Sequence, residues 1–432
     1  MAKKRFIILG AGLAGLSTAW HLQRRGIDCQ VFEREPEVGG LCRSKNINGF
    51  TFDYDGHLLH FKHRYTFNLI KDLLKGNLSE HARQARIYSY GKYTRYPFQA
   101  NLYGLPPSVA KECLLGFMAL HKNGRINSLK NKNFQDWIKY TFGDGIAKHF
   151  MFPYNRKFWT LPLQRLTCAW LDGFIPVPTL HEVIEGTVEE NRRQFGYNAR
   201  FWYPKRGGIN RVAMELAQRI KNIHTSCLIA QVDLIKKEIK TASGYKERFD
   251  YLISTIPLPE LPYLIKDIPK NVVPAFKKLC WNSIFNLNLG IDRKKDSQIH
   301  WVYFPQPDIS FFRVGFFHNF SKHLAPLNKS SLYVEVAYSK DKPIDKSNIV
   351  LQIKKDLKAA GLLSHSDCIL SEDINDIKYG YPIYDVNYAK ARGKIIKYLS
   401  RHNILPCGRY GSWRYFSMEE SILDGKRVAD SL

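Results

Sequence analysis

Four apolar residues, Phe6–Leu9, run without a break into Gly10. A short continuous apolar run closed by glycine predicts a strand buried on both faces of a parallel sheet. The period then changes. Leu13, Leu16, Ala19 and Trp20 fall on one helical stripe, and Gly26 follows as a natural helix end. Apolar residues return in "IDCQVFE", a second strand that finishes on Glu33. Beyond it, alternating Phe50 and Phe52 predict a further strand, with Asp55–Gly56–His57 as a turn at its end.

Downstream, "PPSVAKECLLGFMALH" and "NFQDWIKYTFGDGIAKHFMFPYNRKFW" carry helical spacing, and residues 76–195 read as largely helical. "RFWYPKRGGINRVAMELAQRI" is a glycine-doublet loop leading into an amphipathic helix, and "CLIAQVDLIKKEIKTASGYKERFDYLISTIP" reads as successive strands. Residues 280–340 are aromatic and strand-like, and the C-terminal "ILPCGRYGSWRYFSMEESILDGKRVADSL" is strand, glycine turn and helix. These elements predict an α/β chain. Residues 1–75, 196–260 and 385–432 would form one discontinuous cofactor domain, 76–195 a mostly helical insertion, and 261–384 a sheet-rich substrate domain.

The first turn carries chemistry. Gly10, Gly12 and Gly15 form G-x-G-x-x-G between strand and helix. The first glycine allows the tight turn, the second lets a pyrophosphate approach the backbone, and the third lets helix pack on strand. Glu33 ends the next strand, where a carboxylate accepts from ribose hydroxyls. Strand, glycines, helix, strand and acid in that order make an incidental glycine turn a poor explanation.

Composition narrows the classes. Hydrophobic residues are 44% of the 432-residue chain, which excludes a disordered polypeptide. No apolar run reaches the ~18–20 residues of a membrane span, and "MAKKRFIILG" is too short in its apolar part for a signal peptide, so a cytoplasmic address is the default. The eight cysteines are scattered without metal-ligand spacing, so no metal is expected. The net charge of +26 is spread along the whole chain and concentrates in no recognition helix. A solvated basic surface is the first reading, phosphate-bearing ligands the second and nucleic acid the last.

After Glu33 comes "REPEVGGLCRS", with Gly39, Gly40 and Arg43. This resembles the second signature of glutathione-reductase-like FAD enzymes, including amine oxidases and phytoene desaturases, and implies FAD, not NAD. The implied fold is a glutathione-reductase-like FAD-binding Rossmann domain with an inserted helical domain and an antiparallel-sheet substrate domain. More specific blocks follow in order: "GFTFDYDGHLLHF", "YPFQANL", "FPYNRKFWTLPLQRLTCAWL", "GYNARFWYPKRGG", "WVYFPQPDISFFRVGFFHNFS", "YGYP" and "GRYGSWRY". Together they resemble the UDP-galactopyranose mutases, nearer the eukaryotic-type branch, over nearly the whole chain.

That resemblance implies a flavin used as a nucleophile. Reduced FAD attacks the anomeric carbon of a nucleotide sugar through N5, expels UDP, and lets the ring reclose as a furanose with no net redox. NAD(P)H is the implied reductant. Matched by motif, His57 faces the flavin, and Gly408, Arg409 and Met418 join the glycines, Glu33 and Arg43 around the cofactor. Arg86, Tyr96 and Gln99 fall around the nicotinamide and uridine sites, although the hairpin "YSYGKYTRYPF" is about three residues shorter than the family's. Phe150, Asn155, Trp159 and Asn198 match the uridine and sugar pocket, Trp301 and Tyr303 line it, and Arg313, Tyr381 and Tyr415 hold the pyrophosphate. Without the resemblance Phe150, Trp159 and Trp301 read as core, and His57 as a loop histidine. Arg313, inside "SFFRVGFF", is harder to dismiss, because an unpartnered buried guanidinium is costly.

The pattern breaks at "CAWLDGFIP". Phe174 stands where the family supplies a second pyrophosphate arginine, and Arg156 and Lys157 of "YNRKFW" are the candidates to compensate. Asp55 replaces a glycine, and "YFSMEES" lacks the eukaryotic-type asparagine. Three readings stay open: a UDP-galactopyranose mutase, a mutase of the same fold for another activated sugar, and an FAD oxidoreductase of the amine-oxidase or desaturase type. Oligomeric state is left open, with a homo-oligomer compatible.

Overall fold

The computed structural model describes residues 4–122, 133–171, 173–196, 198–295 and 297–432, with backbone alone at 121 and 122. β1 (Phe6–Leu9) is buried throughout and lies parallel between β2 (Cys29–Phe32) and the strand Tyr251–Ser254. Ile223–His224 and Ile404–Pro406 complete five parallel strands drawn from the beginning, middle and end of the chain. α1 (Leu13–Arg24) follows β1 and stops before Gly26, whose φ of +74° is the left-handed ending expected there. The C-terminal helix Met418–Asp430 packs across α1 at Gly425, where a Cβ would lie 2.5 Å from the Ala14 carbonyl oxygen.

β3 (Ser44–Ile47) and β4 (Phe50–Asp53) form a hairpin, and the Phe50 and Phe52 rings lie parallel with centroids 5.8 Å apart. A seven-stranded sheet stands beside the parallel one. Its order is Ile369–Ile383, Cys280–Ile291, Ser330–Tyr338, Arg313–Gly315, Trp301–Tyr303, Ala85–Ser89 and Lys92–Arg95. Every neighbouring pair is antiparallel except Trp301–Tyr303 with Ala85–Ser89.

The start of the stretch read as largely helical therefore differs. Leu78–Ala82 pairs with Arg200–Pro204, and Ala85–Ser89 is a sheet strand that buries Ala85, Ile87 and Ser89 at period two. That alternation, in "ARIYS", outweighs the helical context around it. Helices begin at Pro107–Lys122 and continue as Phe134–Ile146 and Phe152–Trp159. A wide turn at Ala147–Met151 joins the last two. Gly116, Gly143 and Gly145 let the first two cross closely, since a Cβ on Gly143 would meet the Gly116 carbonyl oxygen at 2.5 Å. Among the described residues no helix is long and apolar enough to cross a membrane.

Candidate functional site

Three backbone segments make a glycine cradle at the end of β1. Gly10 has φ +97°, and a Cβ on Gly15 would sit 2.0 Å from the Gly10 carbonyl oxygen, so helix and turn could not close with a larger residue. Gly39 donates its N–H to the Ala11 carbonyl at 2.8 Å and bridges to Gly12, while Gly40 lies against Gly12. Gly408 closes the third side at φ +75°, packed on Ala14. Glu33 is buried and braces this turn: one carboxylate oxygen accepts from Ala11 N–H at 2.7 Å, the other from Glu35 N–H at 3.0 Å. Arg43 donates to the Gly40 carbonyl at 2.8 Å and stacks over Tyr54 at 4.4 Å. Bare backbone packed this closely, with an acid at the neighbouring strand end, fits a dinucleotide pyrophosphate and ribose.

A cleft of about 260 Å³ opens beside the cradle. Its floor includes His57 from the turn after β4, and Met418, the first residue of the C-terminal helix. Trp301, Tyr303 and Arg313 reach it from the seven-stranded sheet, and Phe150 and Asn155 from the helical segment. Tyr96, Gln99 and Asn198 line it from the hairpin side, and Tyr381, Arg409 and Tyr415 close it. Tyr381 and Tyr415 stack at 5.6 Å, and burial holds both phenols above their ordinary range, so they stay protonated donors. Gln99 donates to the Pro176 carbonyl at 2.6 Å, while its own carbonyl oxygen has no partner among the described residues.

The two arginines differ. Arg313 makes a forked pair with Glu335, one arm at 2.7 Å, and Glu335 is fully buried. The pair belongs to a row of directly opposed residues across five strands: Asn375, Asn286, Glu335, Arg313 and Tyr303. Opposed residues share a face of the sheet, and Asn375 donates to the Asn286 side chain at 3.0 Å. Burial drives the Glu335 carboxyl well above the carboxylate range; Arg313 pulls it back, and the like charge of Asp55 pushes it up again. Arg409 has no ion pair among the described residues. It stands over the rings of Tyr381 and Tyr415, 4.5 and 5.3 Å from their centroids, and its Nε has no hydrogen-bond partner. His57 turns Nδ1 to the Asp55 carbonyl at 3.1 Å, and burial holds its imidazole below the ordinary range, so the ring is neutral.

Several residues lie elsewhere than the sequence placed them. Trp159 is fully buried behind the cleft wall, packed on Phe158 and Trp170 at 4.8 Å each. Arg86 pairs with Glu190 at 3.0 Å outside the cleft lining. Arg83, three residues earlier, is the buried one: it lies 4.5 Å over the Tyr96 ring and donates to Asn198 and to the Phe195 carbonyl. The shortened hairpin was the signal for that shift. Neither candidate to compensate for Phe174 reaches the cleft. Arg156 is exposed over the Phe152 ring, and the Lys157 ammonium is buried against the carbonyls of Phe304, Gln306 and Phe311. Phe174 itself lines the cleft, edge-on to Tyr415 at 4.9 Å with the Lys62 ammonium 5.6 Å from its ring. Sequence reasoning also missed Glu335, whose pairing with Arg313 depends on strand register.

Comparison with known proteins agrees with the cradle. The model of the flavin containing amine oxidoreductases matches residues 13–432. A solved structure of reduced UDP-galactopyranose mutase superposes with a TM-score of 0.94 at 27% identity, over 100% of this chain and 94% of that one. Putrescine oxidase bound to putrescine shares the fold, with a TM-score of 0.67 at 14% identity over 99% and 98% of the two chains. Curated relatives match over part of their length. The zeta-carotene-forming phytoene desaturase of Myxococcus xanthus is 42% identical over 12% of this chain and 10% of its own. The 4,4'-diapolycopene oxygenase of Methylomonas sp is 23% identical over 70% of this chain and 65% of its own. The chain belongs to the flavin-containing amine oxidoreductases, an FAD-binding enzyme family, and within it is similar over its whole length to UDP-galactopyranose mutase.

Proposed function

We propose that the protein is a flavin-dependent sugar mutase that interconverts the pyranose and furanose forms of a nucleotide sugar, with UDP-galactopyranose as the default substrate and no net redox. One observation carries this reading. Arg409 is a half-buried guanidinium without an ion pair among the described residues, its Nε enclosed and unpartnered, in a cleft that also receives Arg313 and abuts the glycine cradle. Such a charge calls for an anion supplied by a ligand.

Gly10, Gly12, Gly15, Gly39, Gly40 and Gly408 would hold the FAD backbone, with Glu33 and Arg43 at its edge. When bound and reduced, by NAD(P)H as the proposed reductant, FAD supplies a nucleophile for the anomeric carbon. The chain's own residues do the rest. Arg313, Tyr381 and Tyr415 present fixed donors to a diphosphate. Phe150, Trp301 and Tyr303 form an apolar wall suited to base and sugar faces, and exclude water from the reacting centre. His57 donates through Nδ1 to Asp55, which leaves Nε2 as an acceptor toward the cleft.

An FAD-dependent oxidoreductase of the amine-oxidase or desaturase type is the second reading, supported by the names of the curated relatives. The Arg409 guanidinium in the cleft disfavours a hydrocarbon substrate, because such a substrate would desolvate it without compensation. Anaerobic incubation of reduced holoenzyme with UDP-galactopyranose, followed by chromatography, tests the proposal. Furanose product from reduced enzyme and none from oxidised enzyme is expected. Loss of hydrogen from the substrate, or no product from any of a panel of nucleotide sugars, would sink it.

A further inference from the structure

The cations inside the cleft fall short of the charge of a nucleotide diphosphate, which carries negative charge on each phosphate. Arg313 is already forked onto Glu335, and Arg409 is the cleft guanidinium without an ion pair among the described residues. His57 is neutral, and no lysine is among the described residues that line the cleft. A single uncompensated guanidinium leaves one of two phosphates without a cation, which is costly where water is displaced.

A further cation stands at the rim. The Lys62 ammonium lies 5.6 Å from the centre of the Phe174 ring, and Phe174 lines the cleft with its ring edge-on to Tyr415 at 4.9 Å. The main chain of Lys62 is fixed at this place. Glu419, buried in the first turn of the C-terminal helix, accepts from the N–H groups of Lys62 and His63 at 2.8 and 3.0 Å and from the Thr66 hydroxyl. Leu58 and His60 on one side of this clasp, and Ser417 and Met418 on the other, line the cleft.

The base of the Lys62 side chain is therefore anchored at the cleft edge, while the residue itself is exposed to solvent. A lysine carries its charge and three donors on a flexible four-carbon stem. A cation over an aromatic ring at an exposed site is held weakly, and a charge-assisted hydrogen bond to phosphate is stronger. Phe174 suits such a perch, because a ring attracts the ammonium without neutralising it, as a carboxylate there would.

We propose that Lys62 is a substrate-binding residue of this cleft: Phe174 holds its ammonium at the rim, and the ammonium moves onto the phosphate farther from the nucleoside when a nucleotide diphosphate binds. The proposal rests on the nucleotide-sugar reading above and deepens it, since it makes a diphosphate, and not a monophosphate, the group that the cleft selects.

Fluorescence titration of the FAD-loaded protein with UDP and with UMP tests this for wild type, Lys62→Met and Lys62→Arg. Lys62→Met should weaken UDP by about tenfold or more, as expected for a lost charge-assisted hydrogen bond. It should leave UMP nearly unchanged, because UMP lacks the outer phosphate. Lys62→Arg, which keeps the charge, should retain most of the UDP affinity. Damage to the loop would weaken both nucleotides alike, so the contrast between them isolates the phosphate contact. Unchanged UDP affinity in Lys62→Met, equal losses for UDP and UMP, or a UDP affinity in Lys62→Arg as low as in Lys62→Met overturns the proposal. A wild type that binds UDP but is indifferent to Lys62 leaves the nucleotide reading standing; a wild type that binds neither nucleotide removes both.

Discussion

Arg313 and Arg409 line one cleft but come from two differently built regions. Arg313 stands on the seven-stranded sheet, opposite Glu335 in register and forked onto it. Arg409 stands on the turn that follows the parallel strand Ile404–Pro406, among aromatic rings and without a carboxylate among the described residues. The first charge is compensated by the fold, so it serves stability. The second is held among tyrosine side chains, which offset only part of its desolvation. A protein keeps such a charge where a ligand completes it.

The largest effect should therefore come from cutting the compensated pair. Arg313→Leu leaves Glu335 buried beside Asp55 and should cost about 3–5 kcal/mol in urea unfolding. Arg409→Leu should change ligand-free stability by less than about 1 kcal/mol, yet weaken UDP binding by about thirtyfold or more. Equal stability losses in the two variants would break the comparison. A buried cation away from the cleft sharpens it. Lys157 serves the fold alone, so Lys157→Met should cost about 2–4 kcal/mol through three stranded carbonyls, with UDP affinity unchanged by fluorescence titration.

Phe174→Arg adds a guanidinium to the cleft wall and should tighten UDP by about tenfold. No change would mean that a diphosphate does not pass that wall. The smallest effect is a slope. Burial pushes the Lys157 ammonium down to about 7. Between that pH and about 10.5 the unfolded chain binds more protons than the folded one, so stability should rise with pH across the window. Lys157→Met should flatten the rise in melting curves, and an identical slope in both proteins would remove Lys157 as its source.

What the sequence made legible was local. Phe6–Leu9, Gly10, Gly15, the α1 stripe and Glu33 are read within one strand–turn–helix–strand unit, where period and glycine spacing suffice. Family blocks extended the reading to Tyr381, Arg409 and Tyr415, which the chain does bring to one cleft. Side-chain direction was not legible. Lys157 lies next to cleft-lining Phe158 yet points to carbonyls of residues 304–311, and Trp159 packs backward, because neighbours on a helix face different ways. Arg86 and Arg83 are separated only by strand parity and hairpin length. Glu335 was hidden because its meaning arises from register with Arg313, 22 residues away across a strand pair.

The proposed mutase rearranges a nucleotide sugar without consuming electrons. Moles of product per mole of NAD(P)H oxidised, measured anaerobically with UDP-galactopyranose, test it most directly. We predict many turnovers for each reducing equivalent, since reductant only primes the flavin. One reductant or one oxygen consumed per substrate molecule converted would contradict it and make the protein a redox enzyme.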